Sequence, residues 1–158
     1  MKYIEIIPEV IVGLGERTVF KEKKAPFMTI ITLHINLEDW LGDDLMTNSN
    51  NFIVTEKLKI GLEKSKFTGF TFENMEITKD EYFDNNYQLN KELPIFYWMK
   101  INGEMNIDFI HINPNNSRLM LSEELYNWLK KNYSTKFLSE DNLKVDDFMK
   151  RFIESQKG

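Results

Sequence analysis

Three observations in this sequence predict an α+β fold: one domain over residues 1–158, a mostly antiparallel sheet of about six strands, and about three helices packed on it. First, runs of strand length are apolar throughout or alternate with polar residues, and clusters of Asn, Asp, Pro and Gly separate them. Second, one strand-to-helix phrase is written twice. Phe52-Ile-Val-Thr-Glu-Lys-Leu-Lys-Ile-Gly-Leu-Glu-Lys64 returns as Leu119-Met-Leu-Ser-Glu-Glu-Leu-Tyr-Asn-Trp-Leu-Lys-Lys131. Third, 158 residues at 42% hydrophobic and 13% aromatic suffice for one sizeable core, which sets the chain apart from disordered sequences.

The elements follow in order. Lys2 to Val12 reads as a strand bent at Pro8. Gly13-Leu-Gly-Glu-Arg-Thr18 resembles the start of a phosphate loop, but its third Gly and following helix are missing, so a turn between strands is expected. Phe27 to Leu37 is the strongest strand, with Met28, Ile30, Thr32 and His34 on one face and Thr29, Ile31, Leu33 and Ile35 on the other. Asn36 to Asn51 is a polar stretch with four carboxylates around Trp40. It reads either as a recognition loop or as a solvated connector with Trp40 tucked into the core.

In the doubled phrase, Thr55 and Ser122 are expected N-caps, since a hydroxyl there accepts a first-turn amide. Glu56 and Glu123 then meet the positive end of the helix dipole. Each copy has an acidic, apolar lead-in, Asp43-Asp44-Leu45 and Asp108-Phe109, which extends the repeat to 43–64 and 108–131. The spacing differs by about three residues, little cost in a surface loop. The first helix is expected to end near Ser65 and the second near Asn132. Phe67 to Ile77 reads as a strand, Lys79 to Glu92 as a polar loop, and Pro94 to Ile101 as a strand opened by proline. Asn102-Gly103 predicts a hairpin to a strand over Met105–Ile112. Asp141 to Gln156 carries Val145, Phe148, Met149, Phe152 and Ile153 at helical spacing, for a helix docked on the core or offered to a partner.

Chemistry is sparse. No apolar run reaches the ~20 residues of a membrane span, and Met1 to Val12 lacks the features of a signal peptide. The absence of cysteine removes disulfides and thiol chemistry and suits a cytoplasmic location. A net charge of −5 argues against nucleic acid and for basic partners. His34-Ile-Asn36 and His111-Ile-Asn113 hold the two histidines, which with Asp108 could form a ligand or metal site, or be ordinary strand residues. Neither Ser117 nor Ser122 sits in a nucleophile-elbow context. No enzymatic activity and no cofactor are expected.

One resemblance adds to this reading. Asp44-Leu45, Phe52-Ile-Val-Thr-Glu-Lys-Leu58, Thr68-Gly-Phe-Thr-Phe72, Leu93-Pro94 with Phe96-Tyr-Trp98, Asp108-Phe109 and Leu119-Met-Leu-Ser-Glu123 occur in an order that resembles the immunity proteins of bacterial polymorphic-toxin systems. The resemblance covers about Asp43 to Lys131 and implies a small cytoplasmic protein that neutralises a cognate toxin by binding it. Its motif residues are scaffold and assign no inhibitory side chains. Charge complementarity nominates the surface. Glu38, Asp39, Asp43 and Asp44, and then Glu73, Glu76, Asp80, Glu81 and Asp84, are acidic patches expected to face a basic toxin such as a nuclease, with Trp40 or Tyr82 as anchor.

Overall fold

The computed structural model describes residues 1–22 and 29–140. In chain order its elements are β1 (Tyr3–Ile7), β2 (Glu9–Val10), β3 (Val19–Glu22), β4 (Thr29–Thr32), β5 (His34–Leu37), β6 (Leu45–Asn48), β7 (Asn51–Thr55) and α1 (Glu56–Glu63). Then come β8 (Phe70–Asn74), β9 (Glu76–Lys79), α2 (Phe83–Asn86), β10 (Phe96–Ile101), β11 (Ile110–Ile112), β12 (Leu119–Ser122), α3 (Glu123–Asn132) and β13 (Ser139–Glu140). The architecture is α+β. One sheet has the order β11-β12-β1-β13 and another β2-β6-β7-β10-β8, and β3–β4 and β5–β9 form two-stranded ribbons.

Both copies of the doubled phrase are strand–cap–helix. Thr55 accepts the Leu58 amide at 3.4 Å and Ser122 the Leu125 amide at 3.1 Å. Leu58 and Leu62 on α1, and Leu125 and Leu129 on α3, lie on buried helix faces because a spacing of four returns to the same side. Lys130 and Lys131 end α3 where its dipole favours cations.

The equivalence reaches beyond these units. β7 is flanked by β6 and β10, and β12 by β11 and β1. Phe96 pairs with Thr55 as Tyr3 pairs with Ser122. Leu45 pairs with Val54 as Ile110 pairs with Leu121. The first helical amide donates, in each case, to the residue before the flanking strand, Glu56 to the Ile95 carbonyl and Glu123 to the Lys2 carbonyl. Each unit is thus a hairpin, a helix and a third antiparallel strand. In chain order the strands are exchanged: β1 precedes the first hairpin but flanks the second, whereas β10 precedes the second and flanks the first. Leu45 matching Ile110 also makes Asp43, not Asp44, the partner of Asp108. The two hairpin turns, residues 48–51 and 113–118, absorb the difference in spacing.

The five-stranded sheet is buried on both faces. Phe52, Val54 and Met99 face a core shared with α1, α3 and the inner side of the four-stranded sheet. Met46, Ile53 and Trp98 face a second core closed by Leu33, Ile35, Leu37, Trp40 and Phe83.

Several expectations need correction. The strand over Phe27–Leu37 is two strands divided at Leu33, β4 pairing with β3 and β5 with β9. Leu33 gives its carbonyl to the Glu76 amide, and the chain changes both partner and inward face there: Ile31, expected on the face of Leu33 and Ile35, is exposed, while Ile30 packs on the second core with them. The Phe67–Ile77 strand likewise divides at Met75, β8 pairing with β10 and β9 with β5. Asn102-Gly103 makes no hairpin, since β10 and β11 lie in different sheets. It marks a crossover where backbones meet: a Cβ on Gly103 would lie 1.8 Å from the Ile110 carbonyl oxygen. The polar stretch 36–51 contains β6. The predicted helix over Asp141–Gln156, with Phe27 and Met28, lies outside the described residues.

Candidate interaction face

The parallel ribbon β5–β9 builds the face. Its register sets His34 beside Glu76, Asn36 beside Thr78 and Leu37 beside Lys79, and Asp80 donates its amide to the Leu37 carbonyl. Because the strands run the same way, the two acidic sequences that follow them emerge side by side. Glu38 and Asp39 are half-buried after β5, Asp80 is half-buried after β9, and Glu81 and Tyr82 are exposed. Asn86 donates to the Glu38 carbonyl at 3.2 Å, tying α2 to the same end. Phe83 fastens it from beneath at 2% exposure, and Lys79 lies 5.2 Å over that ring. Tyr82, at 56% exposure, has its amide held by Asp80 at 2.9 Å. The result is two pairs of acidic residues at the ends of neighbouring strands, with the Asp39 carboxylate accepting the Trp40 amide at 2.8 Å, and one exposed aromatic residue on a braced turn.

Asp43, Asp44 and Trp40 are not on this face. Asp43 is 1% exposed and accepts the Lys136 amide at 2.9 Å, the Phe137 amide at 2.8 Å and the Ser134 hydroxyl at 3.1 Å. Asp44 accepts the Thr55 hydroxyl at 2.7 Å and the Ser134 amide at 2.8 Å. The pair is a clamp that holds residues 134–137 against the first strand–helix unit. Trp40 is 3% exposed, with its indole N–H on the Asp43 carbonyl and its ring edge-on to Phe96. Glu9, also buried, accepts the Leu41 and Asp43 amides, and burial raises its pKa against the opposing pull of those two bonds. Of the second acidic group, Glu73 is paired with Lys100 at 3.2 Å and Glu76 with Arg17, while Asp80, Glu81 and Asp84 make no ion pair among the described residues.

The histidines are placed apart, His34 in the ribbon and His111 in the four-stranded sheet, each 4% exposed. His34 uses both ring nitrogens, accepting the Arg17 amide at 3.1 Å and bonding Thr78 Oγ1 at 2.7 Å. His111 packs edge-on against Tyr3 at 4.4 Å. Its Nδ1 is buried without a hydrogen bond, and burial lowers its pKa against the pull of Asp108. Neither histidine lines the surface concavities of about 390, 350 and 330 Å³. Among the described residues no group of three or more carboxylates and histidines is placed to hold a metal. No described helix is long and apolar enough to cross a membrane.

Sequence reasoning missed Asn36, Thr78 and Asn86, the polar residues that fasten the face. Thr78 did carry a signal, a lone hydroxyl at an alternating position between Ile77 and Lys79. Comparison with protein-family models, curated proteins and solved structures returns no match for this chain.

Proposed function

We propose that this protein is an inhibitory binding partner of the immunity-protein kind, which blocks a cognate bacterial toxin in the cytoplasm by covering a basic surface such as a nuclease active site. The observation that carries the reading is the parallel β5–β9 pairing, which gathers Glu38, Asp39, Asp80, Glu81 and Tyr82 at one end of a braced ribbon. Complementary charge speeds encounter and discriminates among partners, and a rigid aromatic ring supplies an anchor at low entropic cost. The order of scaffold motifs over Asp43–Lys131 supports the same reading.

The test is genetic and then physical. The gene immediately upstream should encode a large secreted protein with a toxic C-terminal domain, and co-expression of this chain with that domain should restore growth. The purified pair should bind with an affinity that falls steeply as salt rises. Growth arrest unaffected by this chain, or a complex indifferent to salt, would count against the reading.

A further inference from the structure

We propose that His34 is the positioning residue of the acidic face, acting through a one-way chain of hydrogen bonds that ends on Asp80; the inference rests on the reading of that face as the recognition surface. The chain begins at the Arg17 amide, which donates to His34 Nδ1 at 3.1 Å. A nitrogen that accepts carries no proton, so the ring proton is on Nε2 and is donated to Thr78 Oγ1 at 2.7 Å. The Thr78 hydroxyl, having taken that bond, gives its own proton to Asn36 Oδ1 at 2.8 Å. Asn36 is thereby oriented with Nδ2 toward Asp80 Oδ2, 3.4 Å away. The other Asp80 oxygen accepts the Tyr82 amide at 2.9 Å. Each link has one direction, and reversing any of them sets donor against donor or acceptor against acceptor.

The ribbon is built to hold the head of this chain. Leu33, Ile35 and Leu37 turn into the second core, so His34 and Asn36 lie on the opposite face, with Thr78 of β9 beside Asn36. The imidazole is nevertheless 4% exposed. Thr18 Oγ1 bonds both the His34 amide and its carbonyl. A Cβ on Gly15 would sit 2.1 Å from Nδ1, so a glycine lets the 15–18 turn close over the ring. Glu76, held by Arg17, stands 3.7 Å from Nε2 and keeps a negative charge beside the N–H. A histidine needed only for packing would not require this train of single-direction partners. Its consequence is that Asp80 and the Tyr82 backbone are fixed before a partner arrives, which reduces the ordering cost of binding.

The experiment uses the isotopically labelled full chain, wild type and with Thr78→Val or Thr78→Ser, titrated with a lysine decapeptide at low ionic strength. Valine keeps the shape and every charge but cuts the chain at the hydroxyl. The nitrogen spectrum of His34 should report the Nε2–H tautomer. Thr78→Val should shift the Asn36 side-chain amide and the Tyr82 amide and weaken decapeptide binding about three- to tenfold, the cost of leaving one or two interface groups unordered. Thr78→Ser should restore both. An Nδ1–H tautomer, or a valine variant with unchanged amides and affinity, overturns the proposal. A decapeptide that leaves residues 38–39 and 80–82 of the wild type unperturbed overturns the recognition reading and this role of His34 with it. In that outcome the amide shifts alone still decide whether the chain of bonds exists.

Discussion

Asp43 makes three hydrogen bonds from a fully buried carboxylate, and Lys136 and Phe137 have their amides satisfied by it. Asp43→Ala strands those amides and should lower unfolding stability by about 2–4 kcal/mol, read by urea denaturation. Asp80→Asn, half-buried on the candidate face, keeps one acceptor oxygen for two bonds and should cost less, about 0.5–1 kcal/mol, because water reaches the group left over. In the sequence these aspartates look alike, acidic residues in polar stretches. What separates them is the segment that Asp43 binds, some 90 residues further on, which no local pattern announces. Trp40 is the same case, an aromatic in a carboxylate-rich stretch that belongs to the core. His111 offers a second contrast, because its structural equivalent in the other unit is Met46, fully buried in an apolar core. Its Nδ1 has no partner, so His111→Met should stabilise the protein by about 1 kcal/mol near pH 7. The pH dependence has a definite sign. Burial holds the folded pKa of His111 below 6.5, so the unfolded chain takes the proton first and stability is lost as pH falls from about 6.5 toward the folded value. Glu9 works the other way, its raised pKa letting the folded state bind a proton first and gain stability as pH falls toward 4.5. The measurement is therefore the difference between wild type and variant, which should widen on acidification from pH 7 to 5.

Thr55 and Ser122 cap the two helices alike, but the Thr55 hydroxyl also donates to Asp44. Ser122→Ala should cost ~1 kcal/mol. Thr55→Ala should cost more, because it also removes a donor from a buried carboxylate, while Thr55→Ser should stay near wild type. Thermal unfolding of the three variants gives the order, and equal losses for the two alanines would show that the Asp44 bond carries no weight. Helix starts were legible because a cap is written within four residues: a hydroxyl, a glutamate and a leucine at the right spacing. Strand partners were not. Thr29 to Leu37 changes its inward face while moving from one ribbon to the other, but Ile30 and Ile31 are both apolar, so the sequence does not say which of them meets the core. Asn102-Gly103 was a sound turn signal whose glycine answers a different need, the approach of the Ile110 carbonyl. The parallel pairing of β5 with β9, on which the candidate face depends, joins segments some forty residues apart and is written in neither.

Taken whole, the molecule puts the acidic residues of its candidate patches, and Glu9, to two different uses. Glu9, Asp43 and Asp44 are internal and hold the Leu41–Asp44 turn and residues 134–137 to the core. Glu38, Asp39, Asp80 and Glu81 gather at the end of the β5–β9 ribbon with Tyr82 projecting beside them. A net charge of −5 suits encounter with a basic partner, and the proposed function rests on the second set, since the first is buried. The strand-exchanged pair of hairpin–helix units supplies the frame, with α1 and α3 meeting in one shared core, and the β5–β9 ribbon has no counterpart in the second unit among the described residues. The proposed function accordingly rests on this ribbon and not on the repeated units. The most direct test is growth protection by the fourfold variant Glu38→Lys, Asp39→Lys, Asp80→Lys and Glu81→Lys, co-expressed with the toxic domain that the proposed function expects to be encoded upstream. Loss of protection, with a melting temperature within a few degrees of wild type, is the result expected; a folded variant that protects as well as wild type would contradict the account.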